Sequence, residues 1–214
     1  MTPQDAISAL NAAADPTRAA DLATRFGDGD YLGVAPAALE EMARDWRQMV
    51  AFPERLDLAR ALWATGVFDA QLMAAKLLTQ ARIKDDAEIW AQICDWLEQA
   101  ATWPIIDALS AAGGRRIAVD LSKMDKVHAL VQSERGLDRR AALMLSMPLA
   151  KLAHPTDAEK LAIDDVLFWL TYALQDADKD VSRTAETWLK SLGKHDVKRA
   201  KMVRRVVQSR ASDS

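Results

Sequence analysis

Thr102-Trp103-Pro104-Ile105-Ile106-Asp107-Ala108-Leu109 holds a tryptophan and an aspartate four residues apart. On a helix that spacing stacks both side chains on one face, one turn apart. Pro104 directly after Trp103 suits the first turn of such a helix. An aromatic plate beside a carboxylate stabilises a cation, or a sugar that is becoming one. The plainer reading makes Trp103 core and Asp107 solvated. Two further elements follow in chain order: Arg139-Arg140-Ala141-Ala142-Leu143 and Ala185-Glu186-Thr187-Trp188. They add an arginine suited to a phosphate and a second aromatic wall.

Around these elements the sequence reads as helix. Half of the 214 residues are hydrophobic, Ala and Leu are abundant, and only 8 Gly and 7 Pro interrupt them. That composition favours helix, and alternating β-branched runs are almost absent. Helix openings are expected at Thr2-Pro3, Asp15-Pro16, Ala35-Pro36, Phe52-Pro53 and His154-Pro155, with a capping residue before the proline in the first two. Apolar stripes follow, such as Leu39, Met42, Ala43 and Trp46, then Leu56, Ala59, Leu62 and Trp63. Breaks are expected at Gly27 to Gly33, Gly66, Gly113-Gly114, Gly136 and Gly193. Short helices joined by short turns describe an all-α bundle or solenoid of about a dozen helices. No strict period emerges, so any repeats are degenerate. The glycine-rich loop Gly27 to Gly33 lacks a Lys-Ser/Thr ending and a preceding strand, and reads as a tight connection anchored by Tyr31 and Leu32.

The net charge of −3 hides an asymmetry. Residues 1–107 carry nine Lys and Arg against seventeen Asp and Glu, whereas residues 108–214 carry nineteen against fourteen. From Arg183 to Arg210 there are nine basic residues and two acidic ones. Lys198, Arg199, Lys201 and Arg205 lie in the densest part, on a predicted helix whose Val203, Val206 and Val207 mark a packed side. Such a run is either a solvated face or an electrostatic footprint for a polyanion. The single cysteine, Cys94, excludes an internal disulfide, and its neighbours Ile93 and Trp96 point to a structural thiol rather than a nucleophile. The three histidines are scattered, so no metal or other cofactor is expected. With no signal-like opening and no apolar run near ~18 residues, the chain is expected to be soluble and cytoplasmic, not membrane-bound.

These elements resemble the AlkD-like DNA alkylation repair family of HEAT-like-repeat DNA glycosylases. Gly27-Asp28-Gly29-Asp30-Tyr31-Leu32-Gly33-Val34 is similar to the family's GEGD-x-FLGV element. The helix expected after it, Ala35 to Val50, is more acidic than the family pattern. Ala61-Leu62-Trp63 followed by Leu72 to Leu78 resembles the LW…R-LLAL helix pair. Thr102 to Asp107 aligns with WWD-x-VD, keeping the second tryptophan and the final aspartate, while Thr102 and Pro104 replace the first tryptophan and the first acid. Arg140-Ala141-Ala142-Leu143 fits R-x-A-[IL], better than a register starting at Arg139. Thr184 to Lys190 is a degraded KAIGW-x-LRE that keeps Trp188. A basic residue expected two turns after the arginine falls on Pro148, with Lys151 as the nearby substitute.

The resemblance implies one HEAT-like-repeat domain over residues 1–214, an α-α superhelix of antiparallel helix pairs. It implies a monofunctional glycosylase that removes cationic N3- or N7-alkylated purines from double-stranded DNA, acting as a monomer in a bacterial-type cytoplasm and on the nucleoid when bound. Asp107 and Trp103 would be catalytic. Arg140, Arg139, Trp188 and Lys151 would contact DNA, with Lys198, Arg199, Lys201 and Arg205 adding unspecific affinity. The alternative is a non-catalytic helical-repeat module that binds DNA or a protein, because fold alone does not fix function. Pro104 is the departure that favours this alternative. Asp107 could equally pair on a surface helix, Trp188 could be core, and the arginines could form ordinary ion pairs.

Overall fold

The computed structural model describes residues 1–80 and 83–212. Among them are twelve α-helices, two short 3-10 turns and no strand. In chain order the helices are α1 (Pro3–Ala12), α2 (Pro16–Phe26), α3 (Pro36–Met49), α4 (Phe52–Trp63), α5 (Phe68–Leu77) and α6 (Ala87–Gln99). They continue as α7 (Trp103–Ile117), α8 (Met124–Val131), α9 (Gly136–Leu145), α10 (Asp157–Ala173), α11 (Lys179–Leu192) and α12 (Val197–Ser212). No helix among the described residues is long and apolar enough to cross a membrane.

The expected openings mostly become helix starts. Thr2 caps α1 in a reciprocal box with Asp5, and Asp15 caps α2 by accepting from the Thr17 and Arg18 amides. The fifth opening is shifted. Helix α10 begins two residues after Pro155, because Thr156 and Glu159 form a capping box that satisfies two terminal amides. The break expected at Gly113-Gly114 does not occur, and α7 runs through both glycines. Gly114 serves close approach instead: a Cβ there would sit 3.0 Å from the Leu145 carbonyl oxygen and from the Pro148 ring.

The chain forms two compact units. The first comprises Met1–Ile93 and Ala100–Ala112. In it α4 and α3 pack on α5, and α1 packs on α4 and α5. Leu39, Ala43 and Trp46 of α3, Leu62 of α4, and Met73, Ala74 and Leu77 of α5 are buried there, the i, i+3, i+4 pattern of a packed helix face. The second comprises Cys94–Gln99 and Gly113–Ser214. There α8 and α11 pack on α9, while α10 packs on α11 and α12. Val181, Ala185, Trp188 and Leu192 give α11 a continuous buried stripe. The result is an all-α fold of packed helix pairs, consistent with a helical solenoid.

The glycine-rich loop of the first unit is tied down by one buried carboxylate. Asp69 of α5, 1% exposed, accepts from the Leu32, Gly33 and Val34 amides at 2.8, 3.3 and 2.8 Å. The Asp15 amide donates to the Leu32 carbonyl at 2.9 Å, fastening the loop to the start of α2. Gly33 adopts φ +75°, and a Cβ would stand 2.3 Å from the Asp15 carbonyl oxygen, so only glycine fits.

Candidate active site

Trp103 and Asp107 lie on one face of α7 and line the same cleft, about 470 Å³, in the first unit. Both are half-buried. Three other helices complete its walls: α2 through Arg18, Arg25 and Phe26, α3 through Pro36 and Leu39, and α5 through Phe68 and Leu72. The Ile106 amide donates to the Thr102 carbonyl at 3.2 Å, starting the helix that sets Asp107 one turn beyond Trp103. Pro104 occupies the first turn, where its missing N–H costs the helix nothing.

An aromatic cluster surrounds Trp103. Phe26 meets its ring edge to face at 6.0 Å, Phe68 stacks on Phe26 at 5.8 Å, and Tyr31 leans on Phe68 at 5.3 Å. Helix α2 ends at Phe26 and the chain then turns at Gly27, and Phe26 and Tyr31 both contact the Phe68 ring. The charges in the cleft differ in how they are spent. Lys76 pairs with Glu40, Arg18 Nε donates to the Gly33 carbonyl at 3.2 Å, and Asp69 holds the loop. An apolar pocket with a few convergent polar groups is the usual form of a binding site.

The family whose description is DNA alkylation repair enzyme matches residues 6–205. The chain belongs to the DNA alkylation repair enzyme family. No curated protein and no solved structure matches it.

The remaining residues singled out as family site positions sit in the second unit. Arg139 forks onto Asp176 at 2.7 and 2.8 Å and donates to the Ser133 and Glu134 carbonyls. Its hydrogen bonds hold the Asp176 carboxyl below the ordinary carboxylate range. Arg139 is therefore a structural tie for the turn after α10. Arg140 Nη1 reaches α11, donating to the Asp180 carbonyl at 3.1 Å and to Thr184 Oγ1 at 2.8 Å. Trp188, expected as an aromatic wall, is 0% exposed and packs in the core of the second unit. Its stripe on α11 faces inward with Val181, Ala185 and Leu192, and its indole N–H finds no acceptor among the described residues. Lys151 is exposed at the end of a 3-10 turn, Leu149–Lys151.

Helix α12 separates two kinds of basic residue. Arg199 pairs with Asp164 and Asp196, and Arg204 forks onto Glu186 at 2.9 and 3.3 Å. Lys198, Lys201 and Arg205 are exposed and carry no ion pair among the described residues. Elsewhere in this family member, Cys94 is half-buried and burial pushes its thiol up to about 11, so it is protonated at neutral pH and a poor nucleophile. Among the described residues no three His, Cys, Asp or Glu side chains assemble into a metal site.

The cleft residues that escaped the sequence reading include Arg25, Phe26, Phe68 and Asp69. Phe26 and Arg25 carry a signal in hindsight, since they close an amphipathic helix directly before the glycine-rich loop. Asp69 stands out as an acid inside the apolar start of α5.

Proposed function

We propose that the chain is a DNA glycosylase that excises cationic N3- or N7-alkylated purines from double-stranded DNA by hydrolysing the N-glycosidic bond. The observation that carries this reading is the pairing of Asp107 with the Trp103 ring in one aromatic-walled cleft, in a member of a DNA alkylation repair family.

An alkylated purine with a formal positive charge is already a good leaving group and needs no general acid. As the bond from the anomeric carbon to the base nitrogen breaks, its electron pair passes to the base and neutralises it. Positive charge then gathers on the sugar, in an oxocarbenium-like transition state. The Asp107 carboxylate stabilises that charge electrostatically, and it orients an attacking water and accepts its proton. The π faces of the Trp103 cluster favour a cation over a neutral base. Arg140 and Lys151 would serve the backbone, fixing register without reading sequence.

Incubating the purified protein with methylated double-stranded DNA should release free 3-methyladenine and 7-methylguanine and leave abasic sites. DNA binding without release would instead support the non-catalytic module and mark Pro104 as the site of the loss.

Non-specific affinity is assigned to the unpaired cations of α12. Changing Lys198, Lys201 and Arg205 together to Gln should flatten the plot of log affinity against log salt by about 0.9 for each phosphate contact removed. Arg199 is left intact in that experiment because its two aspartates already engage it. An unchanged slope would show the face to be solvated surface only.

A further inference from the structure

Arg25 is the penultimate residue of α2, and its side chain is exposed at the cleft. Its guanidinium carbon stands 5.1 Å from the centroid of the Trp103 ring and 5.3 Å from that of Phe26. No hydrogen bond or ion pair engages it among the described residues. That is unusual company for an arginine here, because residues 1–107 hold seventeen acids against nine bases. Arg18 and Lys76, which line the same cleft, both have oxygen partners.

A cation–π contact draws on the charge of the guanidinium and leaves its N–H donors unspent. The two rings therefore hold a planar, five-donor fork at the mouth of the cleft, with much of its rotamer freedom already removed. Asp107 lies one helical turn from Trp103, and its carboxylate repels any phosphate brought close to it. A cation on the Trp103 ring offsets that repulsion at the place where the backbone must pass.

We propose that Arg25 is a positioning residue that grips a phosphate of the DNA backbone beside the sugar held at Trp103 and Asp107. The inference rests on the glycosylase reading for the identity of the sugar. The grip itself is read separately, from the electrostatics of binding. An arginine forks onto phosphate oxygens through two parallel hydrogen bonds, which fixes the phosphate in orientation as well as distance. A lysine supplies the charge alone.

The test compares wild type, Arg25→Ala and Arg25→Lys on a duplex carrying one 7-methylguanine, measuring affinity across a salt series and single-turnover base release. Arg25→Ala should lower the slope of log affinity against log salt by about 0.9, with affinity and release falling together. Arg25→Lys should keep the wild-type slope and bind severalfold more weakly. An unchanged slope in Arg25→Ala overturns the proposal. So does an equal loss of slope in both variants, because a retained charge must retain its counterion effect. Absence of release by the wild type would sink the glycosylase reading instead, while the slopes still decide whether Arg25 holds a phosphate.

Discussion

Replacing Asp107 with Asn should slow release of 7-methylguanine from methylated DNA by about 10²-fold or more, on the order of 3 kcal/mol of transition-state stabilisation. The substitution keeps the shape of the side chain and a hydrogen-bonding oxygen but removes the negative charge. An oxocarbenium-like sugar has more positive charge than the ground state, so the loss falls on the chemical step rather than on binding. DNA affinity should stay level or rise, since a carboxylate that faced phosphates is gone. Arg140→Ala is expected to behave differently, with binding and release falling together. Single-turnover release and equilibrium binding, measured on the same duplex, separate the two patterns. Release by Asp107→Asn at the wild-type rate would show that the carboxylate is structural.

The largest expected effect on stability belongs to Asp69. Its two oxygens accept from three consecutive backbone amides, and the group is 1% exposed. Asp69→Ala would leave buried N–H groups at Gly33 and Val34 without acceptors and free the loop from α5. Charge-assisted bonds of this kind contribute about 1.5 to 3 kcal/mol each, and they are not additive, so a loss on the order of 4 kcal/mol is expected. For a chain of this size that corresponds to a thermal midpoint lower by roughly 10 °C. Asn at this position should recover only part of the loss, because its amide nitrogen cannot accept from a backbone N–H. Hydrogen exchange at the Leu32 to Val34 amides should accelerate in both variants. A midpoint and exchange pattern matching wild type would mean that the loop is held by its neighbours alone. Val34 and Pro36 line the cleft, so loosening the loop should also blur one of its walls.

The helical fold was legible because its signals are local. Thr2-Pro3 and Asp15-Pro16 announce helix starts through capping chemistry that involves three or four adjacent residues. Gly113-Gly114 misled for the opposite reason. Glycine weakens a helix by its own propensity, yet α7 runs through both, and at Gly114 a Cβ would crowd the Leu145 carbonyl oxygen and the Pro148 ring at 3.0 Å. That tertiary contact leaves no mark in the neighbouring sequence. Among the candidate residues, the shared face of Trp103 and Asp107 was readable from an i, i+4 spacing that a helix turns directly into one side of a cleft. Trp188 was not: the motif around it identifies a tryptophan, but Val181, Ala185 and Leu192 at helical spacing decide that it turns inward. Arg139 and Arg140 look alike in sequence. Only the position of Asp176 and of α11 shows that one is a bidentate tie and the other reaches Thr184. Arg25 carries no motif at all, and its place on the Trp103 ring depends on how α2 packs within its unit.

In the proposed reaction the cleft hydrolyses the glycosidic bond of a base whose own positive charge makes it leave. Single-turnover release from two matched duplexes tests it most directly, one carrying 7-methylguanine and the other an uncharged ethenoadenine at the same position. Stabilisation of the sugar by Asp107, without an acid to protonate the base, predicts release of 7-methylguanine and none of the neutral lesion. Equal release of both, or release of neither, would contradict it.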